Sequence, residues 1–146
     1  LLLAYPEAFD YLRQTEGQPR NRQALLDEIQ AELRSFTDDR SISAALWRTQ
    51  QRELLRIAYG DFVLRQRVEL VTEQLTFLAE CLLEGALIAA ERPVRQSHGP
   101  KGQPSWPRIC LLGQGRLGGS ELDYKIDLPI LAVYATEGVG ESAHRQ

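Results

Sequence analysis

The sequence predicts an α+β fold, a mostly helical bundle followed by a short β-rich end. Three observations carry this. Apolar residues recur at helical spacing through residues 1–91. The composition then breaks over Arg92–Pro107, "RPVRQSHGPKGQPSWP", which holds four prolines and two glycines. Beyond it, two runs rich in β-formers, "RICLL" and "IDLPILAVYA" (Ile126–Ala135), flank a cluster of glycines. The chain divides accordingly into a helical bundle (1–91), a Pro/Gly-rich linker loop (92–107) and a truncated β-hairpin with a glycine turn (108–146).

The helices follow in order. "YPEAFDYLRQ" puts Pro6 and Glu7 where a first helical turn accepts them. "RNRQALLDEIQAELRSF" spaces Leu25, Leu26, Ile29, Leu33 and Phe36 along one face. "TDDRS" breaks that run, and Ser41 reads as the N-cap of the next helix. That helix sets Leu46, Trp47, Leu54, Leu55, Ala58 and Phe62 on one side, with Gly60 or Asp61 marking a bend or an end. Trp47 and Trp106 read as packing residues. In the longest segment Val71, Leu75, Leu78, Leu82, Ala86 and Ala89 form the seam of a helix packed on other helices. The tail "TEGVGESAHRQ" reads as loose.

A length of 146 residues fits one domain able to bury a core. The net charge of −3 gives no global basic field, so nucleic acid is not an expected partner. No apolar run approaches the ~18 residues of a membrane span. The opening "LLLAY" is short for a signal peptide and lacks a basic n-region. With no Met, first or later, the chain reads as a fragment of something longer. Cys81 and Cys110 lie in apolar runs and are expected as buried free thiols, which fits a reducing, cytoplasmic setting. His98 and His144 read as lone loop histidines without metal-site spacing. Residues 92–146 carry seven Lys/Arg against five acids, whereas residues 1–91 carry ten Arg against fifteen acids. The glycine-rich end is thus the one whose charge suits an anionic ligand.

That end contains "LLGQGRLGGSELDY", Leu111–Tyr124. Three of its glycines satisfy G-x-G-x-x-G, but a dinucleotide fingerprint must open a crossover helix on which the pyrophosphate rests. Only about six residues separate Gly119 from the next strand, too few for such a helix. Strand, glycine turn, strand points instead to polymerase-β-type nucleotidyltransferases. There the turn lets backbone N–H groups approach a triphosphate, and carboxylates at i and i+2 of the next strand share a face and hold Mg²⁺.

Here the resemblance becomes specific. "GQGRLGGSELDYKIDLPILAVY" resembles the signature of the bacterial glutamine synthetase adenylyltransferase family, G-x-G-K-L-G-G-x-E-L-x-Y-S-S-D-x-D-L. Gly113, Gly115, Leu117, Gly118, Gly119, Glu121, Leu122 and Tyr124 match, and Arg116 stands in place of Lys. Upstream, "ALWRTQQRELLRIAYGDF", "TEQLTFLAECLLEGAL" and "LLLAYPEAFDYL" are similar to the family's Arg-rich segment, its following helix and its Pro-Glu helix. The resemblance runs through residues 1 to about 135. It implies the first strands of a polymerase-β-like nucleotidyltransferase sheet, ATP and Mg²⁺ as cofactors, transfer of AMP between ATP and a tyrosine of glutamine synthetase, and control by a nitrogen-signalling protein.

On that resemblance Gly118, Gly119, Ser120 and Arg116 would hold phosphate, and Asp127 would be the catalytic, metal-binding carboxylate. The same glycines also suit a plain tight turn, and Asp127 a surface carboxylate. The chain departs from the pattern where the metal sits. Aligned without gaps, the second Asp falls on Pro129; aligned on "IDL", Asp127 becomes the second and the first is lost. Lys125 adds a positive charge alongside. Asp123 is a substitute acid, and Glu121 a brace accepting N–H groups of the turn. One carboxylate is a poor holder for a catalytic Mg²⁺ pair, so weak or absent turnover is expected, and a non-catalytic interaction or regulatory module is the alternative. Arg48, Arg52 and Arg56 form one helical stripe, either for binding or as a solvated, salt-bridged face, with Glu53 unable to neutralise it from the next position. Two strands do not stand alone, so they pack on the helices or pair with a second copy in a homodimer.

Overall fold

The computed structural model describes residues 6–98, 109–125 and 128–134. Four helices come first: α1 (Pro6–Thr15), α2 (Arg22–Leu33), α3 (Asp39–Phe62) and α4 (Val68–His98). Strand β1 (Ile109–Gly113), a single helical turn α5 (Gly115–Gly118) and strand β2 (Ile130–Tyr134) follow. The result is a mostly helical protein with a small two-stranded sheet, in the order that periodicity and composition predict. The tail and Trp106 lie outside the described residues.

Helix α4 is the spine, with α2 and α3 packed along it and α1 packed on α3. Its expected seam holds: Val71, Leu75, Leu78 and Ala89 are buried, and Ala79 and Cys81 widen the stripe. From α2, Leu25, Leu26, Ile29 and Leu33 face it, all buried, and Phe36 packs at the margin. Asn21 caps α2, its side chain accepting from the N–H groups of Gln23 and Ala24.

Several local readings shift. Asp38, not Ser41, caps α3; its carboxylate accepts the Ser41 N–H at 2.9 Å, which starts the helix three residues earlier than expected. Helix α3 passes Gly60 and ends at Phe62. Helix α4 runs on through Pro93 to His98, into the segment read as a loop, so His98 is helical. A breaker costs locally, but Arg92 holds this stretch to the bundle by donating to the Leu33 carbonyl at 2.7 Å. The same carbonyl, in the last turn of α2, also accepts the Phe36 N–H at 3.3 Å.

The largest correction is the inward face of α3. Trp47 and Phe62 are exposed, while Ala45, Thr49, Glu53, Arg56, Ile57 and Gly60 are buried. Two charged residues, Glu53 and Arg56, point inward because each is answered. Glu53, 0% exposed, accepts from Arg56 Nε at 2.7 Å, from Arg20 Nη1 at 2.9 Å and from the Tyr11 hydroxyl. Arg56 also donates to the Gln18 carbonyl at 2.7 Å and to Gln74 Oε1 at 2.9 Å. Glu53 therefore answers one member of the arginine stripe, Arg56, three residues away, and not Arg52 beside it. Arg48 and Arg52 pair with Glu32 and Glu28 of α2, so the salt-bridged reading of the stripe holds. Burial alone would raise the Glu53 carboxyl, but Arg56, the Tyr11 hydroxyl and Arg20 outweigh it and hold the group below its ordinary value. Tyr11 is pushed up to about 12, by burial first and then by the Glu53 charge.

The strands pair antiparallel, with Ile109 opposite Tyr134 and Gly113 opposite Ile130. This pairing needs no crossover helix. Strand β2 begins at Ile130 rather than Ile126, after Pro129, which cannot donate to a ladder. Cys81 is buried as expected, but Cys110 is exposed because β1 carries little cover.

A candidate phosphate-binding turn

Strand β1 delivers the chain into the glycine turn, and Gln114 N–H extends the ladder by donating to the Pro129 carbonyl at 2.9 Å. Gly115 then takes φ +55°, the left-handed region that glycine enters without a Cβ penalty. The helical turn α5 folds back onto the strand so closely that a Cβ on Gly118 would stand 2.5 Å from the Gly113 carbonyl oxygen. A backbone atom cannot yield as a side chain would, so the path requires glycine there. Ser120 follows with φ +57°, a strained setting for a residue with a side chain.

Four successive amides close this turn on itself. Gly119 donates to the Gly115 carbonyl at 2.9 Å and Glu121 to the Arg116 carbonyl at 2.8 Å. Gly118 and Ser120 make longer bonds, to Gln114 at 3.4 Å and to Leu117 at 3.3 Å. These amides are therefore already engaged, and a ligand would reach them only by displacing the two long bonds.

Three leucines fasten the turn to the bundle. Leu117 and Leu122 are buried, and Leu128 packs partly against the same core. Leu122 enters a narrow gap among Leu54, Leu75, Leu78 and Leu82. On the outside, Arg116 Nη1 donates to Asp123 at 2.7 Å and its Nε to the Glu121 carbonyl at 3.1 Å. The backbone of Glu121 thus braces the turn. Asp123 also accepts the Lys125 N–H at 2.9 Å. The Arg116 hydrogen bond holds the Asp123 carboxyl below its ordinary value.

The expected Mg²⁺ calls for paired carboxylates. Asp123 is committed to Arg116, and Asp127 lies outside the described residues. Among the described residues no group of three His, Cys, Asp or Glu is arranged to hold a metal ion.

Two clefts adjoin the turn. One, about 500 Å³, lies between α4 and the hairpin, where Gly118, Leu117 and Cys110 face Leu87 and the Arg22–Glu80 pair. The other, about 650 Å³, runs past Ser120, Glu121, Arg67 and Phe77. Both fall in the size range of small-molecule sites.

The structure adds one residue that motif reading did not single out. Asp61, at the end of α3, accepts the Tyr124 hydroxyl at 3.0 Å, and the Phe62 ring stacks on Tyr124 with centroids 6.1 Å apart. Its signal was present, since Asp61 lies in the "RIAYGDF" part of a segment that carries the resemblance.

A family model described as glutamate-ammonia ligase adenylyltransferase matches residues 1–146. The chain is 38% identical over 109 residues to a "Bifunctional glutamine synthetase adenylyltransferase/adenylyl-removing enzyme" of Corynebacterium diphtheriae, covering 73% of this chain and 10% of the relative. Relatives of the same description come from Thioalkalivibrio sulfidiphilus, 29% identical over 94% of this chain and 15% of the relative, and from Neisseria meningitidis, 31% identical over 77% of this chain and 12% of the relative. The chain thus spans 10–15% of the length of these curated relatives. No helix among the described residues is long and apolar enough to cross a membrane.

Proposed function

The chain belongs to the glutamate-ammonia ligase adenylyltransferase family, and from that premise we propose that it is part of a nucleotidyltransferase moving AMP between ATP and a tyrosine of glutamine synthetase. This part supplies the helical bundle and the turn that receives the triphosphate, at the edge of a polymerase-β-like sheet that β1 and β2 begin. In the forward direction the tyrosine oxygen attacks the α-phosphorus, the bond to the departing oxygen breaks, pyrophosphate leaves, and the phenolic proton passes to solvent or a base. A cytoplasmic setting and control by a nitrogen-signalling protein accompany this reading.

The observation that carries it is the turn itself. Gly118 sits where only glycine fits, Ser120 is held left-handed, and Arg116 is exposed beside them at the mildly basic end of the chain. Arg116 and Ser120 bind and orient phosphate oxygens, and Gly118 and Gly119 keep the approach clear. When bound, Mg²⁺ would neutralise phosphate charge, and Asp127 is the residue this reading assigns to it. With one such carboxylate, the isolated chain transfers AMP slowly or not at all.

Calorimetric titration with ATP, with and without Mg²⁺, tests this on the chain and on Asp127→Ala and Arg116→Ala. The expected result is Mg²⁺-dependent binding that both substitutions weaken. Absence of binding at millimolar ATP would reject the nucleotide reading for this chain. A second reading has its own observation: the amides of Gly118–Glu121 already donate within the turn. On that reading the turn is inherited scaffold, and the chain is an interaction or regulatory module, as a homodimer or with another protein. Light scattering after size exclusion, together with the titration, separates the two.

A further inference from the structure

A polar contact at long range in sequence joins the glycine turn to α3. Asp61 and Tyr124 stand 63 residues apart and meet at 3.0 Å. Around them the fastening is layered. Phe62 stacks on the Tyr124 ring. Leu122, two residues earlier, is buried in the bundle. Asp123, between them, grips Arg116 at 2.7 Å. Arg116 in turn holds the Glu121 carbonyl and accepts, through its own carbonyl, the Glu121 N–H. A displacement at Tyr124 is thereby handed through Asp123 to the Arg116 guanidinium and to the closing bond of the turn.

We propose that Asp61 is a positioning residue for the phosphate-binding turn, acting through Tyr124 to fix Asp123 and so to aim Arg116 and Ser120 at a nucleotide triphosphate. The ligand clause rests on the nucleotide reading above. Asp61 touches no substrate; its part is to set the register of the turn on the end of α3. The contact is half-exposed, with Tyr124 39% accessible, so losing it costs the bundle little while loosening what hangs from it. A carboxylate suits the task because a hydrogen bond to an ionised acceptor is stronger and shorter than one to a neutral group. The contact leaves a signature: the Tyr124 phenol is pushed above its ordinary value, by burial first and then by the hydrogen bond to Asp61 and its charge.

Three variants test it: Asp61→Ala, Asp61→Asn and Tyr124→Phe, each with the Asp61→Ala/Tyr124→Phe double. Hydrogen exchange of the Gly118–Glu121 amides is the first measurement, because it needs no ligand. Asp61→Ala and Tyr124→Phe are expected to speed these amides about tenfold, with the amides of α2 and α4 unchanged. The double variant should match the singles, as it must when both remove one interaction. Asp61→Asn keeps an acceptor and should recover most of the protection. Ultraviolet titration, taken as the difference from Tyr124→Phe, should show the Tyr124 phenol titrating lower in Asp61→Ala, with the part of the rise due to burial remaining. The MgATP affinity should then fall about tenfold in Asp61→Ala and stay within about twofold in Asp61→Asn. Unchanged exchange, or additive effects in the double variant, would overturn the positioning role. If the unsubstituted chain binds no MgATP, the nucleotide reading and the ligand clause fall together, and exchange still decides whether Asp61 sets the turn.

Discussion

In the bundle, the groups that hold α1, α3 and the chain ahead of α2 together are charged and sealed from water; in the glycine turn, comparable groups sit in the open. Glu53 and Arg56 are 0% and 2% exposed and fully answered by Arg20, Tyr11, Gln18 and Gln74. Arg116 and Asp123 make a pair of the same 2.7 Å length, yet 60% and 42% of their side chains are exposed. The same chemistry does different things in the two places. A buried pair makes one packing arrangement mandatory, because any other leaves a desolvated charge unanswered. An exposed pair costs little to open, so it leaves its surroundings freer to rearrange. The bundle is therefore fixed by what it buries, and the turn is held by contacts that water can reach.

The widest expected gap between the two regions is chemical. Cys81 is buried, and burial pushes its thiol up to about 11; Cys110 is exposed on β1. Under native conditions Ellman's reagent should label Cys110 promptly. Cys81 should label at least ~1,000-fold more slowly, through opening of the bundle, since domains of this kind are stable by ~5 kcal/mol or more. Equal rates would erase the contrast.

Next in size is Glu53→Ala. Removing one partner of the buried network leaves Arg56 uncompensated, and urea denaturation should show a loss of about 3–5 kcal/mol. Its pH dependence has a defined sign. The native carboxyl lies below its ordinary value of 4.5. Its contribution is therefore complete above that value and disappears as pH falls through the lowered native one. Glu53→Gln should flatten that part of the acid limb, and an unaltered limb would contradict the network.

Gly118→Ala acts on the other region alone. The added Cβ meets the Gly113 carbonyl oxygen, and overpacking of this kind costs about 1–3 kcal/mol. The cost should appear as faster exchange of the β1 amides, with the urea midpoint of the bundle retained. Smallest is Arg48→Ala. Arg48 reaches Glu32 at 3.2 Å with half its side chain exposed, so the stability change should stay below about 1 kcal/mol. A larger loss would mean that the outer part of the arginine stripe belongs with the buried network.

The comparison also separates what could be read in advance from what could not. The seam of α4 and the face of α2 were legible because apolar side chains bury wherever the period repeats. The strand–turn–strand order at 109–134 was legible from its glycines and β-formers, and with it the family signature. The inward face of α3 was not, because Glu53 and Arg56 look solvated until Arg20 and Tyr11 are brought to them from another helix and the loop that follows it. The capping of α3 was missed by three residues, since Asp38 and Ser41 have equal local claims and only the path of the chain chooses between them. Within the turn, the requirement for glycine could be anticipated at Gly118, but the use of its amides by the turn itself could not.

By itself, then, the sequence determined the helical period, the place of the glycine turn and the family to which the chain belongs, all of which depend on neighbours close along the chain. Only the tertiary structure decided that Glu53 and Arg56 of α3 face inward and that Asp61 receives Tyr124. Those depend on partners up to 63 residues away, and no local pattern encodes which distant group will arrive to satisfy a buried charge or an exposed hydroxyl.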